Sequence, residues 1–288
     1  MITVFQAIII GAIQGITELF PISSLGHSVI IPQLFNWNLN QNQPYFLTFL
    51  VATHLATATV LFFFFYKEWI KVIKGLGRSL KARVIDQEDT YAKMGWLLVI
   101  ATIPAGIIGL LFKDSISKLF ASAKIAASFL IVNGIILFLA ERLRKTHNKA
   151  KTTDAQSDNQ ISKLSWWQSI GIGLSQSLAL IPGISRSGSS MSGSLLSGLD
   201  NESAARFSFL LATPIIGAAA LLQLPSIFSA NEKPIRLAIL LGSLAAAVSA
   251  YISVKFLIRY FKTKTLTPFS VYCFLGGILY LFILFKFR

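Results

Sequence analysis

Hydrophobic and polar positions fall along this chain in long blocks. An apolar segment from Ile2 to Phe20 breaks at Pro21 and resumes from Ser23 to Phe35. The second part is too short to cross about 30 Å of hydrocarbon at about 1.5 Å per helical residue, so the pair predicts a re-entrant helix-turn-helix that enters and leaves the bilayer on one side. Three fuller apolar blocks, near Phe46–Tyr66, Gly95–Phe112 and Ile125–Ala140, predict transmembrane helices. The last is short enough to need flanking residues or a locally thin bilayer. A polar tract from Arg142 to Lys163 interrupts the pattern and predicts a flexible linker over residues 142–165. The pattern then restarts: a broken pair, Trp166–Ile181 and Ser189–Leu199, precedes apolar blocks near Phe207–Leu224, Leu237–Leu257 and Pro268–Phe285.

The restart is a repeat in letters as well as in hydropathy. Gln14, Glu18, Ile22, Ser23, Ser24 and Gly26 lie over Gln176, Leu180, Ile184, Ser185, Arg186 and Gly188, and Phe49-Leu50-Val51-Ala52-Thr53 lies over Phe209-Leu210-Leu211-Ala212-Thr213. Residues 1–141 and 166–288 thus read as two halves of one all-α membrane domain. Each half has an odd number of full spans, so the second must be inserted upside down relative to the first. Two re-entrant hairpins entering from opposite faces can meet near the midplane.

Composition agrees with a polytopic membrane protein: 54% of residues are hydrophobic and 13% charged, with mean hydropathy +0.65. The net charge of +14 raises nucleic acid as a partner, but the basic residues collect in short segments between apolar blocks, as the positive-inside rule expects. Of 26 Lys and Arg, 18 fall on the side holding Lys67–Lys93, the linker, Arg206 and Lys255–Lys264, against 7 on the other. This makes the linker cytoplasmic and places both termini outside. Cys273 is the single cysteine, so neither a disulfide framework nor a Cys-based metal site is available. Nothing at the N-terminus reads as a removable signal peptide.

The remaining charge is the informative one. Arg186 sits in Pro182-Gly183-Ile184-Ser185-Arg186-Ser187-Gly188-Ser189-Ser190, inside a predicted membrane region, where an arginine costs several kcal/mol (about 3 on insertion scales) unless paired or hydrated. A forked cation, the hydroxyls of Ser185, Ser187, Ser189 and Ser190, and glycines, Gly188 among them, that let backbone N–H groups turn inward describe an anion site suited to phosphate. The first hairpin adds Gln14 and Glu18 on one helix face, with Ser23, Ser24 and His27 just past the Pro21 break. A carboxylate here needs a partner, and Arg186 arriving from the opposite hairpin is the most economical. Ser23 and Ser187 also read as helix caps. His54, mid-span, reads as a structural side chain, and His147 as a solvated linker residue.

These two motifs, Gln14-Gly15-Ile16-Thr17-Glu18-Leu19-Phe20-Pro21-Ile22-Ser23-Ser24-Leu25-Gly26-His27 and Pro182-Gly183-Ile184-Ser185-Arg186-Ser187-Gly188, resemble those of the bacterial undecaprenyl-diphosphate phosphatases, also called bacitracin-resistance proteins. The resemblance runs over nearly the whole chain. It implies an enzyme of the bacterial plasma membrane that removes one phosphate from a C55 polyprenyl diphosphate at a site open to the outer face. By motif position Glu18, Ser24, His27, Ser185 and Arg186 match family residues linked to catalysis or phosphate binding. The chain departs from its family at Gln14, where many relatives carry a second Glu, at Leu25 and Ser190, where Thr is common, and at Ala56, where Gly is usual.

The expected mechanism uses Ser24 as nucleophile, activated by Glu18 with His27, ahead of His27 itself or a water activated by Glu18. A divalent cation, Mg2+ or Ca2+, with Glu18 as its ligand, would help Arg186 neutralise the phosphates. The competing class is a transporter or flippase of an anionic lipid, because inverted repeats with broken helices also bind anions in secondary carriers. A second copy of the chain is an admissible partner in either case.

Overall fold

The computed structural model describes residues 2–286 apart from 38, 42, 87, 113–121, 145–152 and 228–233, with backbone only for 221–227. His147, Arg288 and residues 145–152 of the tract expected as a linker lie outside the described residues. Every regular element among the described residues is helical. The chain runs α1 (Val4–Thr17), α2 (Ser24–Leu34), α3 (Pro44–Phe64), α4 (Tyr66–Ala82), α5 (Thr90–Leu111), α6 (Ala123–Leu143), α7 (Asp154–Ser162), α8 (Trp166–Ser177), α9 (Arg186–Leu196), α10 (Asn201–Ile227), α11 (Arg236–Phe261) and α12 (Thr267–Lys286). Six of these, α3, α5, α6, α10, α11 and α12, are long and apolar enough to cross a membrane, and they fall on the six apolar blocks within a few residues.

Local chemistry starts the short helices where the breaks predict. Thr3 and Ser165 form capping boxes with Gln6 and Gln168 at α1 and α8, and Ser23 and Ser185 cap α2 and α9. The two short pairs are held by long helices: α1 packs on α11 and α8 on α5, each in the other half, while α2 and α9 both pack on α6. Contact is close enough that a Cβ at Gly11 would overlap the Gly242 carbonyl, and one at Gly173 the Ala101 carbonyl. Small residues at these crossings let backbones approach, as packing within lipid requires.

Two elements differ from the sequence reading. Tyr66–Ala82, expected as a basic loop, is helix α4, with Val72, Gly75 and Ser79 buried against α5, apolar Ile70, Ile73 and Leu80 exposed, and its Lys and Arg on a third face. Such a three-faced pattern dilutes the simple apolar stripe by which a helix is read. The later part of the linker tract forms α7, and it is pinned. Asp158, four residues after Asp154 and so on the same face, lies 3.0 Å from Arg206, which is 2% exposed. Arg206 also pairs with Glu68 of α4 at 3.1 Å and Asp154 at 3.4 Å, and the Tyr91 hydroxyl donates to Asp158 at 3.0 Å. Polar composition reads as a linker, but here the carboxylates answer a buried guanidinium.

Candidate active site

Two chain breaks meet at the centre of the fold. In the first, α1 ends at Glu18, whose backbone N–H still bonds the Gln14 carbonyl. Pro21 prevents continuation, and Ser23 takes φ 70°, a left-handed conformation uncommon for a residue with a Cβ. In the second, a turn with Gly183 at φ 101° leads into α9, whose first residue is Arg186. One side chain ties the breaks together: Asn133 of α6 donates from Nδ2 to the Pro21 carbonyl at 3.0 Å and accepts at Oδ1 from the Ser185 N–H at 3.0 Å.

Glu18, 5% exposed, is the hub. Its Oε1 accepts from Arg186 Nε at 3.2 Å and Nη2 at 3.0 Å. Its Oε2 accepts from Ser24 Oγ at 2.6 Å and Gln14 Nε2 at 3.3 Å, and lies 3.2 Å from His54 Nε2. The third guanidinium nitrogen of Arg186 donates to the Ser208 carbonyl of α10 at 3.1 Å. The pairing expected between Glu18 and Arg186 is therefore present, and it neutralises both charges away from water. A cavity of about 280 Å³ opens on this group. Glu18, Ser23, Ser24, His54 and Arg186 form its polar lining, and Leu47, Leu50, Val51, Leu180, Ile215 and Ile216 are among its apolar lining.

Other expected residues are placed differently. His27 does not join Glu18: its Nδ1 donates to the Ser23 carbonyl at 2.7 Å, and its Nε2 lies 2.8 Å from the Tyr272 hydroxyl. Because the carbonyl can only accept, the ring is held with its hydrogen on Nδ1. Ser185, Ser187, Gly188 and Ser190 are buried behind Arg186 rather than lining the cavity. Ser185 caps the Gly188 N–H at 3.1 Å, Ser187 donates to the Phe20 carbonyl at 3.2 Å, and Ser190 donates to the Arg186 carbonyl at 2.9 Å and meets the Ser208 hydroxyl at 2.7 Å. They fix the guanidinium's position. Of the expected caps, Ser23 is one and Ser187 is not; Ser185 has that role.

Two residues were missed. His54, on α3, follows directly after the repeated Phe-Leu-x-Ala-Thr segment, where the second copy has Pro214, so its asymmetry between copies was a readable signal. Asn133 is an amide inside an apolar block, and intramembrane polar residues warrant a partner search.

The donor set does not suit the divalent cation expected from the sequence. Both oxygens of Glu18 already accept from cationic or neutral donors, Gln14 turns its NH2 toward the carboxylate, and among the described residues no group of three or more His, Cys, Asp or Glu is gathered. Hard cations require several oxygen ligands.

Comparison with known proteins agrees over almost the full length. The family described as bacitracin resistance protein BacA matches residues 7–279. The chain is 42% identical to "Undecaprenyl-diphosphatase 2" of Frankia alni, covering 96% of this chain and 97% of that one. It is 44% identical to "Undecaprenyl-diphosphatase 2" of Burkholderia thailandensis, covering 94% and 93%. To "Undecaprenyl-diphosphatase" of Mycolicibacterium paratuberculosis it is 40% identical, covering 94% of each.

Proposed function

The chain belongs to the bacitracin resistance protein BacA family, and from that membership and the site geometry we propose that it hydrolyses undecaprenyl diphosphate to undecaprenyl phosphate and inorganic phosphate. The reaction returns the lipid carrier to cell-wall synthesis, and the chain does this as a multi-pass protein of a bacterial membrane.

The observation that carries the mechanism is the shared carboxylate: Ser24 Oγ donates to Glu18 Oε2 at 2.6 Å while Arg186 holds Oε1. In our reading Glu18 takes the Ser24 proton as the hydroxyl oxygen attacks the terminal phosphorus. Arg186 moves its fork to the phosphoryl oxygens, where charge accumulates. The bond to the bridging oxygen breaks, and water later releases phosphate from Ser24. A carrier would use Arg186 equally well but has no need of a hydroxyl seated on a buried carboxylate. The test is phosphate release from a polyprenyl diphosphate by the purified protein in detergent, where no gradient exists; absence of release rejects the enzyme reading.

We also read the two halves as an inverted repeat, with both termini and the cavity on the outer side. Its supports are the matched motifs, the charge bias and the reciprocal packing of α1 on α11 and α8 on α5. Labelling of cysteines placed in the linker by an impermeant reagent, after Cys273→Ser, tests this arrangement.

A further inference from the structure

His54 has a geometry that its sequence position does not announce. Its Nδ1 lies 2.7 Å from the Leu50 carbonyl, four residues earlier on α3, and its Nε2 lies 3.2 Å from Glu18 Oε2. The carbonyl can only accept, so Nδ1 carries a hydrogen. Glu18 meanwhile receives two bonds from Arg186 and one each from Ser24 and Gln14, which is the environment of an ionised carboxylate and leaves it no donor to offer. Nε2 must then carry a hydrogen too. Both ring nitrogens face acceptors only, which is the bonding pattern of an imidazolium. The His54 side chain is 24% exposed and borders the cavity. An imidazolium here would set one carboxylate between two cations and leave the site with a net positive charge before substrate arrives.

We propose that His54 is an imidazolium that serves with Arg186 as the site's own pair of cations, in the position where a divalent metal ion would otherwise neutralise the diphosphate, and that it protonates the departing phosphate. The proposal rests on the diphosphatase reading above. As the terminal phosphorus bonds to the Ser24 oxygen, the Ser24 proton passes to Glu18. The bond from that phosphorus to the bridging oxygen breaks, and the bridging oxygen leaves on the lipid monophosphate with the Nε2 proton of His54. Glu18 then returns its proton to His54 across their contact. In the second half water attacks the phosphoserine, its proton goes to Glu18 and from there to the Ser24 oxygen, and phosphate departs. Neither half consumes an external acid, base or cation. Gln14 fits this scheme: its amide donates to the carboxylate, whereas a second carboxylate there would add the charge that calls for a metal.

The experiment uses the purified full chain in detergent with a C15 prenyl diphosphate as probe. Phosphate release should stay within about twofold in excess EDTA, and calorimetric titration with Ca2+ or Mg2+ at millimolar concentration should give no saturable binding. His54→Gln should lower kcat by about 100-fold, within the range of a lost general acid, with KM changed less than about threefold. Loss of activity in EDTA with recovery on Mg2+ or Ca2+ overturns the proposal, and so does a His54→Gln enzyme at the parent rate. Should the glutamine variant fail to fold, the EDTA and titration arms on the parent decide. If the parent releases no phosphate under any condition, the diphosphatase reading falls. The titration still judges this proposal, because saturable Ca2+ binding abolished by Glu18→Gln would overturn it.

Discussion

The two hairpin breaks are built alike and loaded differently. Ser23 and Ser185 occupy matching positions and do the same work, each accepting from the amide three residues on, Gly26 at 3.2 Å and Gly188 at 3.1 Å. Their backbones differ. Ser185 sits at φ −84°, with the left-handed residue of its turn two places earlier at Gly183, whereas Ser23 itself takes φ 70°. The next residues differ in chemistry: Ser24 turns back to Glu18, and its counterpart Arg186 reaches across to the same carboxylate. Further along α1 the Gln14 amide donates to Glu18, while Gln176, its counterpart on α8, is buried with neither amide atom partnered. One break carries a hydroxyl seated on a carboxylate, and the other the guanidinium that meets it. Backbone strain sits only on the half whose hydroxyl must point at the carboxylate, consistent with strain being retained where function over-determines geometry.

The largest expected effect removes the chemistry of the first break. Ser24→Ala should lower phosphate release by about a thousandfold or more while leaving diphosphate binding within about threefold, because Arg186 carries the binding. Rapid quench with labelled substrate sharpens this: an acid-stable phosphoenzyme supports Ser24, and an acid-labile one found in the Ser24→Ala variant would move the nucleophile to a histidine, His54 or His27.

Next comes the second break. Arg186→Lys keeps the charge but loses the fork that spans Glu18 and the Ser208 carbonyl, so kcat/KM should drop by about 100-fold or more. A lysine enzyme near the parent rate would mean that Arg186 is not the phosphate clamp.

Asn133→Ala separates the two breaks without touching either. It strands the Ser185 N–H in a buried place, which costs about 1–3 kcal/mol, and leaves the Pro21 carbonyl only the weak Cys273 thiol at 3.8 Å. Thermal unfolding should therefore fall by several degrees along with activity, and an unchanged transition would show that the Glu18–Arg186 pair and the Ser187 bond to the Phe20 carbonyl hold the breaks without Asn133.

The smallest effect tests the strain itself. Ser23→Gly loses a cap hydroxyl, worth only a few tenths of a kcal/mol on going to glycine, but relieves a positive φ that costs about 1 kcal/mol or more. Its unfolding temperature should hold or rise slightly. Ser185→Gly, with no strain to relieve, should lower it. Equal shifts in the two variants would remove the asymmetry.

By itself the sequence determined the six spans, the two breaks and most of the chemistry placed in them. Lipid cannot satisfy an exposed backbone, so apolar length alone dictates helices, and Pro21, Pro182 and the serines after them leave only broken helices between. Glu18, Ser24 and Arg186 were legible because charge inside an apolar block demands a partner. Tertiary structure alone decided the rest. His54 and Asn133 act on groups more than thirty residues away, and which helix face meets those groups depends on the crossing of α3 and α6 with the breaks, which no local pattern encodes. His27 is adjacent to Ser24 in every sequence argument, yet it projects from another face of α2 to Tyr272. Likewise α4 and α7 are polar enough to read as loops, yet α4 packs Val72, Gly75 and Ser79 on α5, and α7 sets Asp154 and Asp158 on the buried Arg206.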